Sequence, residues 1–310
     1  MNRWLAAGLL FLANALWGTS YAIAKVALEE LPPPLLGAIR FSIASALLWI
    51  IVLVQRRSSA AKASPTMDRR DAWRILGLGV VAIAGTHLIS NLGQSLTTAT
   101  DASLMIVGEV IFTTLLGAWI LKERPGPWRR VGVVIGGIGA VTLILNSAQS
   151  GDGAVSGLTR AAGDSLVLLG LVGEALYSII GVKYVRRYSH LKVTALVNTG
   201  SLVVWVPVLV YYIATGQVPW GAWTALGGVV YLAVINSVIC FLIWFKVLES
   251  APANFGAISL FAQPLVGALL GLTLLGEKVT PGLLAGAALI LTALFFATRP
   301  EKSGQHDAAA

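Results

Sequence analysis

Apolar residues run along this chain in long stretches separated by short polar breaks. Ten stretches can be drawn, at 4–24, 34–54, 73–94, 102–121, 129–146, 164–182, 193–214, 223–247, 255–275 and 281–298. Most reach the roughly 20 residues that an α-helix needs to cross a hydrocarbon core of about 30 Å. The pattern therefore predicts an all-α integral membrane protein with ten transmembrane helices.

The polar breaks carry a repeat. "LLGAWILKERPGPWRRVG" at 115–132 is echoed by "LLGLTLLGEKVTPGLLAG" at 269–286, an offset of 154 residues. It aligns Gly117 with Gly271, Glu123 with Glu277, Pro127 with Pro281 and Gly132 with Gly286. A weaker match at offset 160 sets "ANALW" at 13–17 against "GEALY" at 173–177. Each half then holds five spans, and an odd number turns the second copy over relative to the first, giving two inverted five-helix repeats. Inverted repeats are a mark of secondary transporters, whose site lies near the midplane between the halves. The predicted division is a first repeat at 1–145, a Gly/Ser-rich linker at 146–163, a second repeat at 164–298 and a tail at 299–310. The pairs Gly132/Gly136, Gly267/Gly271 and Gly282/Gly286 have the small-xxx-small spacing that lets helices approach closely.

Composition agrees with a bilayer setting: of 310 residues, 56% are hydrophobic and 12% charged, against about 25% charged in soluble domains. The net charge of +8 forms no basic face of the kind nucleic acid requires. It sorts by loop instead. With a cytoplasmic N-terminus, 18 Lys and Arg fall inside and 3 (Lys25, Arg160, Lys278) outside, leaving Arg40 within a span. This positive-inside bias predicts a multi-pass protein of the bacterial inner membrane with both termini in the cytoplasm. Ala13-Asn14-Ala15 imitates a signal-peptidase site, but the apolar run continues past it and is expected to stay. Cys240 is the one cysteine, so no internal disulfide can form.

"LANALWGTSYAIAKVALEELPPPLLGAIRF" at 12–41 and "LLGEKVTPGLLAGAALILTAL" at 274–294 resemble the EamA-type members of the drug/metabolite transporter superfamily, over nearly the whole chain. Trp17-Gly18, Arg40 and the Glu123/Glu277 junctions match that pattern. The resemblance implies ten transmembrane helices in a 5+5 plan and proton-linked or exchange transport of small metabolites, commonly amino acid export. The scaffold does not specify the cargo.

A charge at the centre of a bilayer costs about 2.5–3.5 kcal/mol on insertion scales, so each one calls for a reason. Four ionisable residues fall within spans: Arg40, His87, Glu109 and Glu174. Arg40 reads either as a snorkelling side chain near the outer face or as a planar fork for an anion. His87 shares a helical face with Asn91 and Gln94, lining a cavity or packing against it. Glu109 corresponds to Gln263 by the 154 offset, and Glu174 to Asn14 by the 160 offset. Asn14, Trp17 and Tyr21 share one face, as do Glu174, Tyr177 and Gly181. The candidate substrate-binding residues are therefore Asn14, Trp17, Tyr21, His87, Asn91, Tyr177 and Gln263, with Glu109 and Glu174 as proton carriers. Trp244 and Phe261 are further cavity candidates. Trp4, Trp73, Trp128, Trp220 and Trp223 sit near span ends and read as interfacial anchors. Glu123 and Glu277 read as helix-start carboxylates at duplicated hinges.

No H-E-x-x-H or G-x-S-x-G motif supports an intramembrane enzyme, and no G-x-x-x-x-G-K-[ST] loop supports ATP as the driver. The expectation is a secondary active transporter exporting small amphipathic metabolites, amino acids with aromatic or apolar side chains foremost. It would work by alternating access with proton antiport or exchange, without metal or cofactor. Its partners would be a small molecule, the lipid bilayer and protons, not nucleic acid. A passive channel or facilitator is the alternative.

Overall fold

The computed structural model describes residues 3–55, 67–122, 124–150, 156–248 and 259–299. Among these the ordered elements are all helical. In chain order they are α1 (Arg3–Glu30), α2 (Pro33–Gln55), α3 (Arg69–Leu96), α4 (Ala99–Ile120), α5 (Pro127–Gln149), α6 (Gly157–Arg187) and α7 (His190–Ala214). Next come α8, running from Trp223 to Leu248, α9 (Ala262–Leu274) and α10 (Pro281–Ala297). The helices α1 to α8 are long and apolar enough to cross a membrane, whereas α9 and α10 are apolar but shorter. The predicted span at 255–275 begins on residues outside the described set.

Helix starts follow local chemistry. Pro127 and Pro281 open α5 and α10, where the missing N–H costs nothing and φ is already helical. Thr280 caps α10 by accepting from the Leu283 amide at 3.1 Å, and Ser156 caps α6 by accepting from Thr159 at 3.2 Å. Glu277 departs from the expectation that it serves the helix it precedes. Its carboxylate accepts from the amides of Ala99 (2.6 Å) and Thr100 (2.8 Å), covering the start of α4 instead. Glu123 lies outside the described residues.

The helix irregularities recur about half a chain apart. A π-helical stretch interrupts α3 at Val80–Gly85 and α8 at Leu232–Ile239. A turn at Met105–Ile106 breaks α4, and another at 260–261 precedes α9. Much of the packing has the same symmetry. Exchanging helix n for n+5 turns the α1–α8 contact into α6–α3, α1–α9 into α6–α4, and α2–α8 into α7–α3, while α2–α7, α4–α9 and α5–α10 pair with themselves.

Close approach at these crossings depends on glycine. A Cβ at Gly79 in α3 would sit 1.9 Å from the Val197 carbonyl oxygen in α7, and one at Gly200 would sit 2.0 Å from the Leu76 oxygen. Gly93 and Gly163 face each other the same way between α3 and α6, with 2.7 and 2.8 Å to the opposite carbonyl. The glycines singled out by spacing also lie at contacts: Gly132 against Ala293 and Ala297, Gly136 against Val107, Gly267 against Ser103, Gly271 against Thr100, Gly282 against Asn146 and Gly286 against Leu143. A methyl group at Gly79 has no flexible neighbour to displace, so Gly79→Ala should destabilise the detergent-purified protein by about 1–3 kcal/mol. Gly77→Ala, which meets nothing within 4 Å, should leave it within about 0.5 kcal/mol. Equal thermal midpoints for the two variants would mean that α3 and α7 are not in backbone contact.

Candidate functional site

The interior polar residues divide into those already committed to each other and those still accessible. Asn14 in α1 is fully buried and donates from Nδ2 to the Leu10 carbonyl and to Ser259 Oγ, both at 2.9 Å. Its Oδ1 accepts from Gln263 Nε2 at 2.8 Å. The structure thus brings together two of the candidate substrate-binding residues, Asn14 and Gln263, and their groups join α1 to α9. Gly18 sits one turn on, where a Cβ would stand 2.6 Å from the Gln263 carbonyl oxygen.

Trp17 forms a second joint. Its indole Nε1 donates to the Asn236 carbonyl at 3.0 Å, and Asn236 Nδ2 donates back to the Leu16 carbonyl at 2.7 Å. Asn236 lies in the π-helical stretch of α8. Widened turns of this kind release main-chain groups and occur often at functional sites. The Trp17 ring lies edge-on to Phe241 (5.3 Å between centroids) and 5.6 Å from Trp244, so one side of this interior is aromatic.

The charged residues meet deeper in the bundle. Glu109 falls in the first turn after the break in α4, at the positive end of that segment's dipole. It accepts from Ser178 Oγ of α6 at 3.4 Å, one turn along from Glu174. Glu174 lies in the field of both Glu109 and Arg40, and all three act on the Tyr21 hydroxyl, so α1, α2, α4 and α6 converge on one electrostatic cluster. Arg40 does not turn toward the membrane surface. Its Nε donates to Ser237 Oγ of α8 at 2.9 Å, and its guanidinium lies 5.2 Å from the Phe41 ring centroid. His87 follows the π-helical stretch of α3, and its ring lies tilted against that of Phe41, 4.6 Å between centroids, within the field of Arg40.

Two predicted residues stand apart from this cluster. Asn91 is buried and donates to the Pro33 carbonyl at 3.3 Å, tying α3 to the start of α2. Tyr177 packs over Gly181 and against the apolar cluster around Trp205. Trp4, Trp73, Trp128, Trp220 and Trp223 are all exposed near helix ends. Phe261 packs against the apolar cluster of α4, α5 and α10.

Sequence reading missed the two ends of the bundle. At one end Arg160 Nη2 pairs with Asp101 Oδ2 at 2.9 Å, Thr98 donates to the same oxygen at 2.8 Å, and Thr97 donates to Asp164. Lys25, expected in a loop, belongs to α1 and donates to the Gln94 carbonyl at 3.2 Å. At the other end Asp71 accepts from Arg187 at 3.0 Å and from the Tyr188 hydroxyl at 2.8 Å. Asp101 and Asp164 lie at the edges of their apolar stretches, where boundaries drawn from hydropathy alone are least sharp.

The model of the EamA-like transporter family matches this chain twice, over residues 4–145 and 161–299. An uncharacterized transporter of Archaeoglobus fulgidus is 24% identical over 299 residues, covering 96% of this chain and 99% of its own. The uncharacterized transporter YoaV of Bacillus subtilis is 22% identical, covering 91% of this chain and 93% of its own. An S-adenosylmethionine/S-adenosylhomocysteine transporter of Chlamydia trachomatis is 25% identical, with 90% and 85% covered. A solved crystal structure superposes with a TM-score of 0.64 at 22% identity, over 96% of this chain and 97% of that one, which establishes likeness of fold. With its all-helical architecture and a family match over both halves, the chain belongs to the EamA-like transporter family, a family of multi-pass membrane transporters.

Proposed function

We propose that this transporter is a secondary active exporter of small amphipathic metabolites, amino acids foremost, working by alternating access with proton antiport or exchange. The observation that carries the proposal is the convergence of Glu109 and Glu174, from two different helices, beside Tyr21 and Arg40 in the bundle interior. Each carboxylate is half-buried. Burying two like charges near each other is costly unless one of them holds a proton, and such a pair can take up and release one as its surroundings change. The Tyr21 ring offers apolar surface beside these charges, with Trp17 one turn earlier on the same helix, which suits a molecule with an apolar body and a charged head. The relative named for S-adenosylmethionine and S-adenosylhomocysteine fits this chemistry, since both compounds carry an amino-acid head.

The architecture proposed is ten crossings in two inverted repeats, 1–145 and 164–298, joined by the linker 146–163. The n to n+5 symmetry of packing supports it. So does the coverage of each half by one family model. The charge bias supports a bacterial inner-membrane location with the termini and the tail from 299 in the cytoplasm.

Two experiments follow. Cys240 is fully buried, so single-cysteine labelling reads topology cleanly: in intact cells an impermeant thiol reagent should modify Ser150→Cys and spare Ser59→Cys, and the reverse would invert the orientation. In proteoliposomes, Glu174→Gln keeps shape without titrating. It should retain substrate exchange while uphill flux driven by a pH gradient falls at least about tenfold. Loss with Glu109→Gln and not with Glu174→Gln would move the proton to α4. Full pH-driven flux in both single variants and the double variant would show that neither carboxylate carries the proton, and no pH-driven flux in the wild type would leave exchange or facilitated diffusion as the function.

A further inference from the structure

Arg40 is a charge inside a membrane protein whose guanidinium is only partly occupied. Its Nε is fixed by Ser237 Oγ at 2.9 Å, and the plane is steadied over Phe41 at 5.2 Å. Among the described residues, every ion pair is made by other groups: Arg74 and Arg187 with Asp71, and Arg160 with Asp101. Glu174 lies within its field but makes no ion pair with it. The terminal nitrogens of Arg40 and the oxygens of Glu174 are likewise not among the side-chain atoms that protein covers completely without a partner. Both therefore retain some accessible surface.

This arrangement differs from a structural salt bridge. A buried cation and carboxylate that exist for stability close on each other, because separation forfeits attraction while keeping the cost of dehydration. Here Ser237 holds the Nε edge while the two terminal nitrogens, the half of the fork that binds a carboxylate bidentately, stay available. Glu174 acts on the guanidinium without pairing with it. Tyr21 and His87 are the remaining titratable groups facing this cluster, and Cys240 adds its field from α8.

We infer that Arg40 is the anchor for the cargo's carboxylate, with Ser237 positioning the fork. The site then reads a molecule by charge order: anionic end toward α2 and α8, the rest toward Glu174 and the aromatic wall of α1. This deepens the amino-acid reading above by naming the residue that selects an acid over the corresponding amine.

The test uses the purified full-length chain in detergent and reads ligand binding by tryptophan fluorescence, with no gradient. The probes are phenylalanine and leucine, the two carboxylic acids left when their amino group is removed, and the two amines left when their carboxylate is removed. Wild type should bind the amino acids and the acids. Arg40→Gln should weaken both at least about tenfold and change the amines less than twofold. Arg40→Lys, which keeps the charge but loses the fork, should fall between. Retained amine binding in Arg40→Gln also reports that this variant is folded. Equal loss for all six probes, unchanged affinity for the acids, or no binding of any carboxylate by wild type would each overturn the inference. Set beside the proteoliposome flux above, carboxylate-selective loss in a protein that moves no amino acid would keep the anchor and discard the transport reading. Normal pH-driven amino acid flux in Arg40→Gln would do the opposite.

Discussion

Helices in a bilayer gain nothing by hiding apolar surface from water, since lipid is as apolar as their neighbours, so they must be held by close backbone contact and interhelical polar bonds. Everything else in this protein rests on that constraint. At Gly79 and Gly200, and again at Gly93 and Gly163, the backbones of α3, α7 and α6 come within a distance that no side chain permits. These contacts bring α3 against both α7 and α6, and their counterparts bring α8 against α2 and α1. With the backbones this near, short polar side chains can cross from helix to helix. Asn14 reaches Gln263, Asn236 reaches Leu16, and Arg40 reaches Ser237.

The interior polar groups then differ by whether they are used up. Asn14 satisfies both ends of its amide on Leu10, Ser259 and Gln263. It holds α1 to α9. The Trp17 indole and the Asn236 amide exchange main-chain partners across α1 and α8, with the Trp17 ring set among Phe241 and Trp244. Arg40 and Glu174 are the contrast, held in each other's field without closing into a pair. A committed amide makes a rigid joint, and an accessible charge beside a rigid joint is what a binding site needs.

Polar contacts concentrate at both ends of the bundle as well. Asp101 and Arg160 join α4 to α6, Glu277 covers the start of α4, and Asp71 joins α3 to Arg187 and Tyr188 at the far end of α6. Each of these contacts crosses between the first and second halves of the chain. Their positions leave the middle of the bundle to the cluster of Glu109, Glu174, Tyr21 and Arg40.

Sequence alone was enough for the all-helical membrane character, most helix positions, the recurrence at 154 residues and six of the contact glycines, Gly132, Gly136, Gly267, Gly271, Gly282 and Gly286, but not for Gly79, Gly93, Gly163 or Gly200. The former follow from composition and spacing along one helix, because hydropathy and small-residue period are local properties. It also picked out Glu109, Glu174, Trp17 and Tyr21 as polar or aromatic exceptions in apolar runs. Only the tertiary structure decided what each exception touches. The sequence could not tell that Asn14 and Gln263 satisfy each other while Glu174 stays accessible, since all three look alike as polar residues in apolar helices. Nor could it foresee that Glu277 covers a helix 178 residues away in sequence, or that Arg40 turns inward to Ser237. The partner of a side chain is set by the crossing of helices distant in sequence, and no period along a single helix encodes it.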